Sequence, residues 1–164
     1  MDVLVVYLRH IMDHIDLRLL DLLQKDGRLT YGELGSEVGL SISAINERLR
    51  KLNARGAIRA TVAVVEPSAV GLTLTAFIQV LLERPEHDAP FIEGIRGIAE
   101  VQECHHVAGD YSYLLKVRSR DTAHLEALIS HGIKRLPGVV RTQTTIVLST
   151  PKETSALRIS IEGT

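Results

Sequence analysis

From Asp13 to about Ala60, apolar residues recur at spacings of three and four. Ile15, Leu19, Leu22 and Leu23 fall on one face, which predicts a first helix packed on that face. Asp26-Gly27 marks its end, with Gly27 expected to take the left-handed conformation. Thr30 is placed to cap a second helix, and Glu33 three residues on completes a reciprocal capping box. That helix carries Leu34 and Val38 and stops at Gly39. Ser41 caps a third helix that runs to about Arg55 and stops at Gly56. Two helices joined only by Val38-Gly39-Leu40-Ser41 make a helix-turn-helix. Ile58 to Val65 then alternates and is rich in β-branched residues, so it reads as a strand, with Glu66 to Leu72 as linker.

Beyond the linker the period changes. Thr73–Glu83 reads as a strand and Ala89–Ile98 as a helix entered through Pro90. Val101–Val107 and Tyr111–Arg118 read as strands joined by the turn Ala108-Gly109-Asp110. A helix capped by Asp121 extends to Leu136, and Val139–Ser149 forms a last strand after Pro137-Gly138. The order β-α-β-β-α-β is that of the ferredoxin-like split βαβ arrangement, an α+β fold. Arg158 to Ile161 alternates and is a candidate edge strand. The expected organisation is a helix-turn-helix domain over 12–60, a strand and linker over 61–72 and a second domain over 73–152. Residues 1–11 are apolar and precede Met12, which resembles a natural start. They read either as an extension or as an arm packed on the fold.

Composition narrows the function. Lys+Arg number 19 and Asp+Glu 20, for a net charge of -1, so the chain does not coat nucleic acid by bulk charge and needs a local basic face. The single Cys excludes an intramolecular disulfide and a multi-cysteine zinc site, and points to a reducing, cytoplasmic setting. No apolar run approaches the roughly 20 residues that span a bilayer, so no membrane partner is expected.

The third helix supplies such a basic face. Ile45, Leu49 and Leu52 turn inward, while Ser43, Glu47, Arg50 and Lys51 lie opposite, with Ala44 and Asn46 at the margins. Ser41 and Arg48 complete the candidate DNA-binding set. Short side chains near the helix start allow close approach, polar ones reach base edges, and later cations meet phosphates. A merely solvated helix face has similar composition; the cap and tight turn before it favour DNA. Glu47 either accepts from a cytosine or pairs with Arg50 or Lys51.

In the second half, Gly109 permits close backbone approach, and the N–H groups of the turn with Asp110 offer partners for a carboxylate and an ammonium. A plain turn that holds nothing has the same spacing. Cys104 and His106 share a strand face and His105 does not, leaving two ligands where zinc needs more. No metal, cofactor or catalytic residue is expected.

The segments Ile15-Asp-Leu-Arg-Leu-Leu20, Leu23-Gln-Lys-Asp-Gly-Arg28, Val38-Gly-Leu-Ser41, Glu47-Arg-Leu-Arg-Lys-Leu52 and Gly56-Ala-Ile58 resemble, in order and spacing, the leucine-responsive regulatory protein and asparagine-regulator (Lrp/AsnC) family. So do Val101-Gln-Glu-Cys-His105, Gly109-Asp-Tyr111, Tyr113-Leu-Leu-Lys116 and Leu136-Pro-Gly-Val139. The likeness runs from about Met12 to Lys152. It implies a winged helix-turn-helix followed by an αβ-sandwich that oligomerises and senses a small effector. Also implied are a transcription regulator on double-stranded DNA, an amino acid effector, and a homodimer that forms tetramers or octamers. The effector positions it implies are His106, Val107, Gly109, Asp110, Tyr111, Ser112, Thr145 and Val147. Leucine-responsive members carry Gly-Asp-Phe-Asp where this chain has Gly109-Asp-Tyr-Ser112, so the resemblance leaves the effector open. Two alternatives on the same scaffold are a haem-precursor decarboxylase and a sensor without DNA binding.

Overall fold

The structure, a computed structural model, describes residues 12–160. The segment 1–11 and Ile161 of the candidate edge strand lie outside the described residues. The described residues divide into two compact units, one of residues 12–64 with 153–160 and one of residues 65–152.

In the first unit, α1 spans His14–Lys25, α2 Tyr31–Val38 and α3 Ile42–Ala54. Each start is capped by the side chain the sequence offers. Asp13 accepts from the Asp16 N–H, Ser41 from the Ala44 N–H, and Thr30 and Glu33 form the full capping box. The turn between α2 and α3 rests on Gly39, at φ 70°. Leu19, Leu34, Ile45, Leu49 and Leu52 form the core, with Ile15, Leu23, Val38 and Ile58 packed around it.

Three expectations fail in this unit. Gly27 is not left-handed; α1 stops because Asp26 is extended, at φ -144°. Nor does the wing strand form over 58–65. A strand exists only as a ladder with a neighbour, and the described secondary structure of this unit is entirely helical. Val62 and Val64 are instead 75% and 93% exposed. The tail over 153–160 likewise forms no strand; it is held to α1 by Gln24, whose amide donates to the Leu157 carbonyl at 3.2 Å and accepts from its N–H at 2.6 Å.

The second unit is a four-stranded antiparallel sheet of β1 (Leu74–Leu82), β2 (Val101–His106), β3 (Tyr113–Ser119) and β4 (Val139–Ile146), in the order β2-β3-β1-β4. Helices α4 (Asp88–Arg96) and α5 (Thr122–Ala127) cover one face. Ala76, Ile78, Val80, Tyr113, Leu115 and Val117 meet Phe91, Ile95, Leu125, Leu128 and Ile133 in the core. The alternate positions Phe77, Leu81 and Leu114 belong to the opposite face and are half-buried.

The second helix is shorter than its apolar pattern predicts. After Ala127 the chain widens into a π turn over Leu128–Gly132 and then tightens into a 3-10 turn over Ile133–Arg135. Gly132, at ψ -83°, lies off helical geometry at the junction. Tyr111 and Ser112, expected to open β3, belong to the turn before it.

Candidate nucleic-acid interface and effector positions

The α3 surface is built from its inward anchors. With Ile45, Leu49 and Leu52 buried, Ile42, Ser43, Asn46, Glu47, Arg50 and Lys51 are exposed and Ala44 is half-exposed. Ser41 acts first as the cap, and its hydroxyl also meets that of Ser43 at 3.0 Å.

The cations on this helix divide into two kinds. Arg48 is turned away from the exposed face, contrary to the expectation that it meets DNA. Its Nη1 donates to Asp13 Oδ2 and Asp16 Oδ1, both at 2.7 Å. These carboxylates flank the start of α1, so Arg48 fastens α3 to α1. Asp13 is caught between burial, which raises its pKa, and its bonds from the Asp16 N–H and Arg48, which prevail and hold it below the usual value.

Arg50 instead lies on the exposed face, gripped by Glu47 through two parallel bonds, Nε to Oε2 at 2.9 Å and Nη2 to Oε1 at 2.8 Å. Lys51 adds a third cationic contact to Glu47 at 3.3 Å. Arg50 and then Lys51 hold the Glu47 carboxyl down at about 2. Within the chain, Glu47 pairs with both Arg50 and Lys51.

The candidate effector positions separate within one chain. The turn is pinned to the end of β1: Ser112 donates to the Val80 carbonyl at 2.9 Å, and its hydroxyl accepts from the Leu82 N–H at 3.1 Å. Gly109 sits at φ 144°, a conformation side chains rarely adopt, and Asp110 is exposed. Buried Tyr111 donates its phenol to Gln143 at 2.9 Å, with the Arg141 guanidinium 5.5 Å from its ring centre. On edge strand β2, exposed His106 stacks on Tyr113 with centroids 5.0 Å apart. Tyr113 donates to Asp88 at 3.0 Å, and burial and that carboxylate push its phenol up to about 12.

Thr145 and Val147 are not part of this group. Thr145 pairs with Phe77, and Val147 donates to the Thr75 carbonyl at 2.9 Å, towards the opposite end of β1. A hollow of about 400 Å³ between α5 and β4, lined by Leu125, Ile129, Thr142, Thr144 and Ile146 among others, contains none of the eight effector positions.

Cys104 is exposed on β2, and desolvation raises its thiol pKa. Among the described residues no group of three or more His, Cys, Asp or Glu is arranged to hold a metal ion, and no helix is long and apolar enough to cross a membrane.

Sequence reasoning missed Ile42, which opens α3 with 62% of its surface in solvent. The available signal was its place one residue after the cap, where the first turn of a reading helix meets bases.

Residues 12–53 match the AsnC-type helix-turn-helix domain, and residues 75–157 the Lrp/AsnC ligand binding domain. The chain is 37% identical over 150 residues to the leucine-responsive regulatory protein of Klebsiella pneumoniae, covering 90% of this chain and 92% of that one, and equally to that of Escherichia coli. Among solved structures, it is similar to a transcriptional regulator from Neisseria meningitidis in complex with L-Met, at TM-score 0.85 and 32% identity over 90% of this chain and 96% of the other. It is also similar to the feast or famine regulatory protein of M. tuberculosis complexed with L-methionine, at TM-score 0.84 and 36% identity over 90% and 99% of the two chains.

Proposed function

Because the chain belongs to the Lrp/AsnC family of DNA-binding transcription regulators, whose second domain binds a small ligand, we propose a specific division of labour among its residues. Ser43, Asn46, Glu47, Arg50 and Lys51, with Ala44 at the margin, face the major groove. Ser41 and Arg48 hold the helix that presents them. The observation that carries this is the exposed polar face of α3 behind a capped, glycine-turned helix pair. Such a helix enters the groove by its N-terminal turns.

The effector is an amino acid, the class bound by the two structural relatives solved with methionine. His106, Val107, Gly109, Asp110, Tyr111 and Ser112 form one part of its site, and Thr145 and Val147 of another protomer form the other. Their separation along one chain supports a site shared between copies. The working unit is a homodimer joined through the sheet face of Phe77, Leu81 and Leu114, and dimers assemble further into tetramers or octamers. Effector bound between dimers then shifts the balance among assemblies, and with it the DNA sites occupied. The protein acts in the cytoplasm, and the function includes no catalytic step.

A gel shift with the DNA upstream of the protein's own gene, at fixed salt and with each common amino acid in turn, tests this. The expected result is a specific shift that one amino acid alters. A genome-wide fragment selection that enriches no sequence overturns the DNA reading. A specific shift indifferent to every amino acid overturns the effector reading alone.

A further inference from the structure

Among the described residues, the three helices of the first unit leave only two large apolar side chains in solvent, Tyr31 and Ile42. Ile42 is 62% exposed and opens α3, within the surface that faces DNA. An apolar side chain there gains nothing from water, nor can it meet a phosphate.

The polar groups around it narrow what it meets. The Ser43 hydroxyl is engaged with Ser41, and Glu47 is occupied by Arg50 and Lys51. Asn46 is exposed, and its amide makes no hydrogen bond within the chain among the described residues. Ile42 and Asn46 are four residues apart, so their Cβ atoms stand about 5–6 Å apart on one helix face. In the major groove the thymine C5 methyl is the one apolar feature any base presents, and adenine offers the N6 donor and N7 acceptor that an Asn amide matches. The two features belong to A·T pairs.

We propose that Ile42 is a specificity-determining residue that packs on a thymine methyl while Asn46 bonds an adenine, so that each half-site contains an A·T pair under the first turn of α3. The inference rests on the DNA-binding reading above. It also predicts rejection of G·C at this position: Ile42 has no acceptor for the cytosine amino group, which would lose its water unpaired.

The test selects half-sites from random duplexes with the full chain, then replaces each conserved thymine by uracil, which removes only the methyl. Binding is read by fluorescence anisotropy. Loss of one methyl contact is expected to weaken wild-type binding about fourfold at one thymine per half-site. Ile42→Ala should show no such penalty there while melting at the wild-type temperature, because the side chain is on the surface. Uracil tolerated at every thymine, or penalised equally in Ile42→Ala, overturns the proposal and leaves DNA binding standing. No enriched sequence overturns both.

Discussion

Arg48 Nη1 stands 2.7 Å from Asp16 Oδ1, and through that bond the helix proposed to read DNA is tied to the first helix of its own unit. Asp16 is buried and Arg48 is 28% exposed in its side chain. Breaking a charged bond between partly shielded groups costs about 1–2 kcal/mol once solvent screening is allowed for. Arg48→Ala should therefore lower the urea midpoint. With salt varied on the folded protein, it should leave the slope of DNA affinity unchanged.

The second bond of Arg48, to Asp13, gives the unit an acid limit. Asp13 titrates below its ordinary 3.8 when folded, so it binds protons more readily in the unfolded chain. A depressed carboxylate stabilises the fold above the unfolded value, and that contribution disappears as pH falls through the folded one. Glu33, held down by the Thr30 N–H and hydroxyl from its ordinary 4.5, acts in the same direction. Thermal melts should be insensitive to these groups from pH 7 to about 5 and fall below about 4. Asp13→Asn should flatten part of that acid limb.

Arg50→Ala is expected to weaken specific binding and lower the slope of log affinity against log salt by about one, as loss of one phosphate contact requires. Glu47→Gln should do the reverse at low salt and tighten binding, because a carboxylate that competes with phosphate for Arg50 is gone. In a carboxyl NMR titration, Glu47 should move from about 2 back towards its ordinary 4.5 when Arg50 is removed. An unmoved Glu47 would contradict the pairing.

Two helix glycines make a controlled comparison. A Cβ on Gly35 would stand 2.5 Å from the Leu40 carbonyl oxygen, where the turn closes onto α2. Backbone cannot yield as a side-chain tip can, so Gly35→Ala should cost about 1–3 kcal/mol, as overpacking does. At Gly32 the nearest such atom is Thr30 Oγ1 at 3.9 Å. Gly32→Ala should be neutral or stabilise by up to about 1 kcal/mol. Denaturant melts of the pair check both.

Gln24→Ala removes both bonds to Leu157 and should expose the tail to proteolysis between 153 and 158, with little change in melting temperature. Equal cleavage rates in the two proteins would show that the clasp does not order the tail.

Helices and sheet were legible because their signals are periodic and local. Ile45, Leu49 and Leu52 mark the core face of α3, and Thr30 with Glu33 marks the start of α2. What failed to show were relations between distant residues. Ile58–Val65 has every property of a strand except a neighbour to pair with. Arg48 looked like one basic residue among several, and only the approach of Asp13 and Asp16 from 35 and 32 positions earlier sets it apart. Thr145 and Val147 were grouped with the Gly109 turn by family likeness alone, which sets the effector between dimers, and within one chain strand register holds them apart. Ile42 was passed over because apolar residues are sought in cores, whereas on a reading surface they carry information.

The clasp of Glu47 on Arg50 also sets how such a protein would search a genome. A phosphate that takes the paired edge of Arg50 must first part the pair, whatever the base sequence, so that penalty falls equally on all sites. Chance encounters are made brief, while a site offering further contacts still holds. Holding one cation in reserve thus shortens the dwell on wrong DNA and quickens the passage to the next stretch.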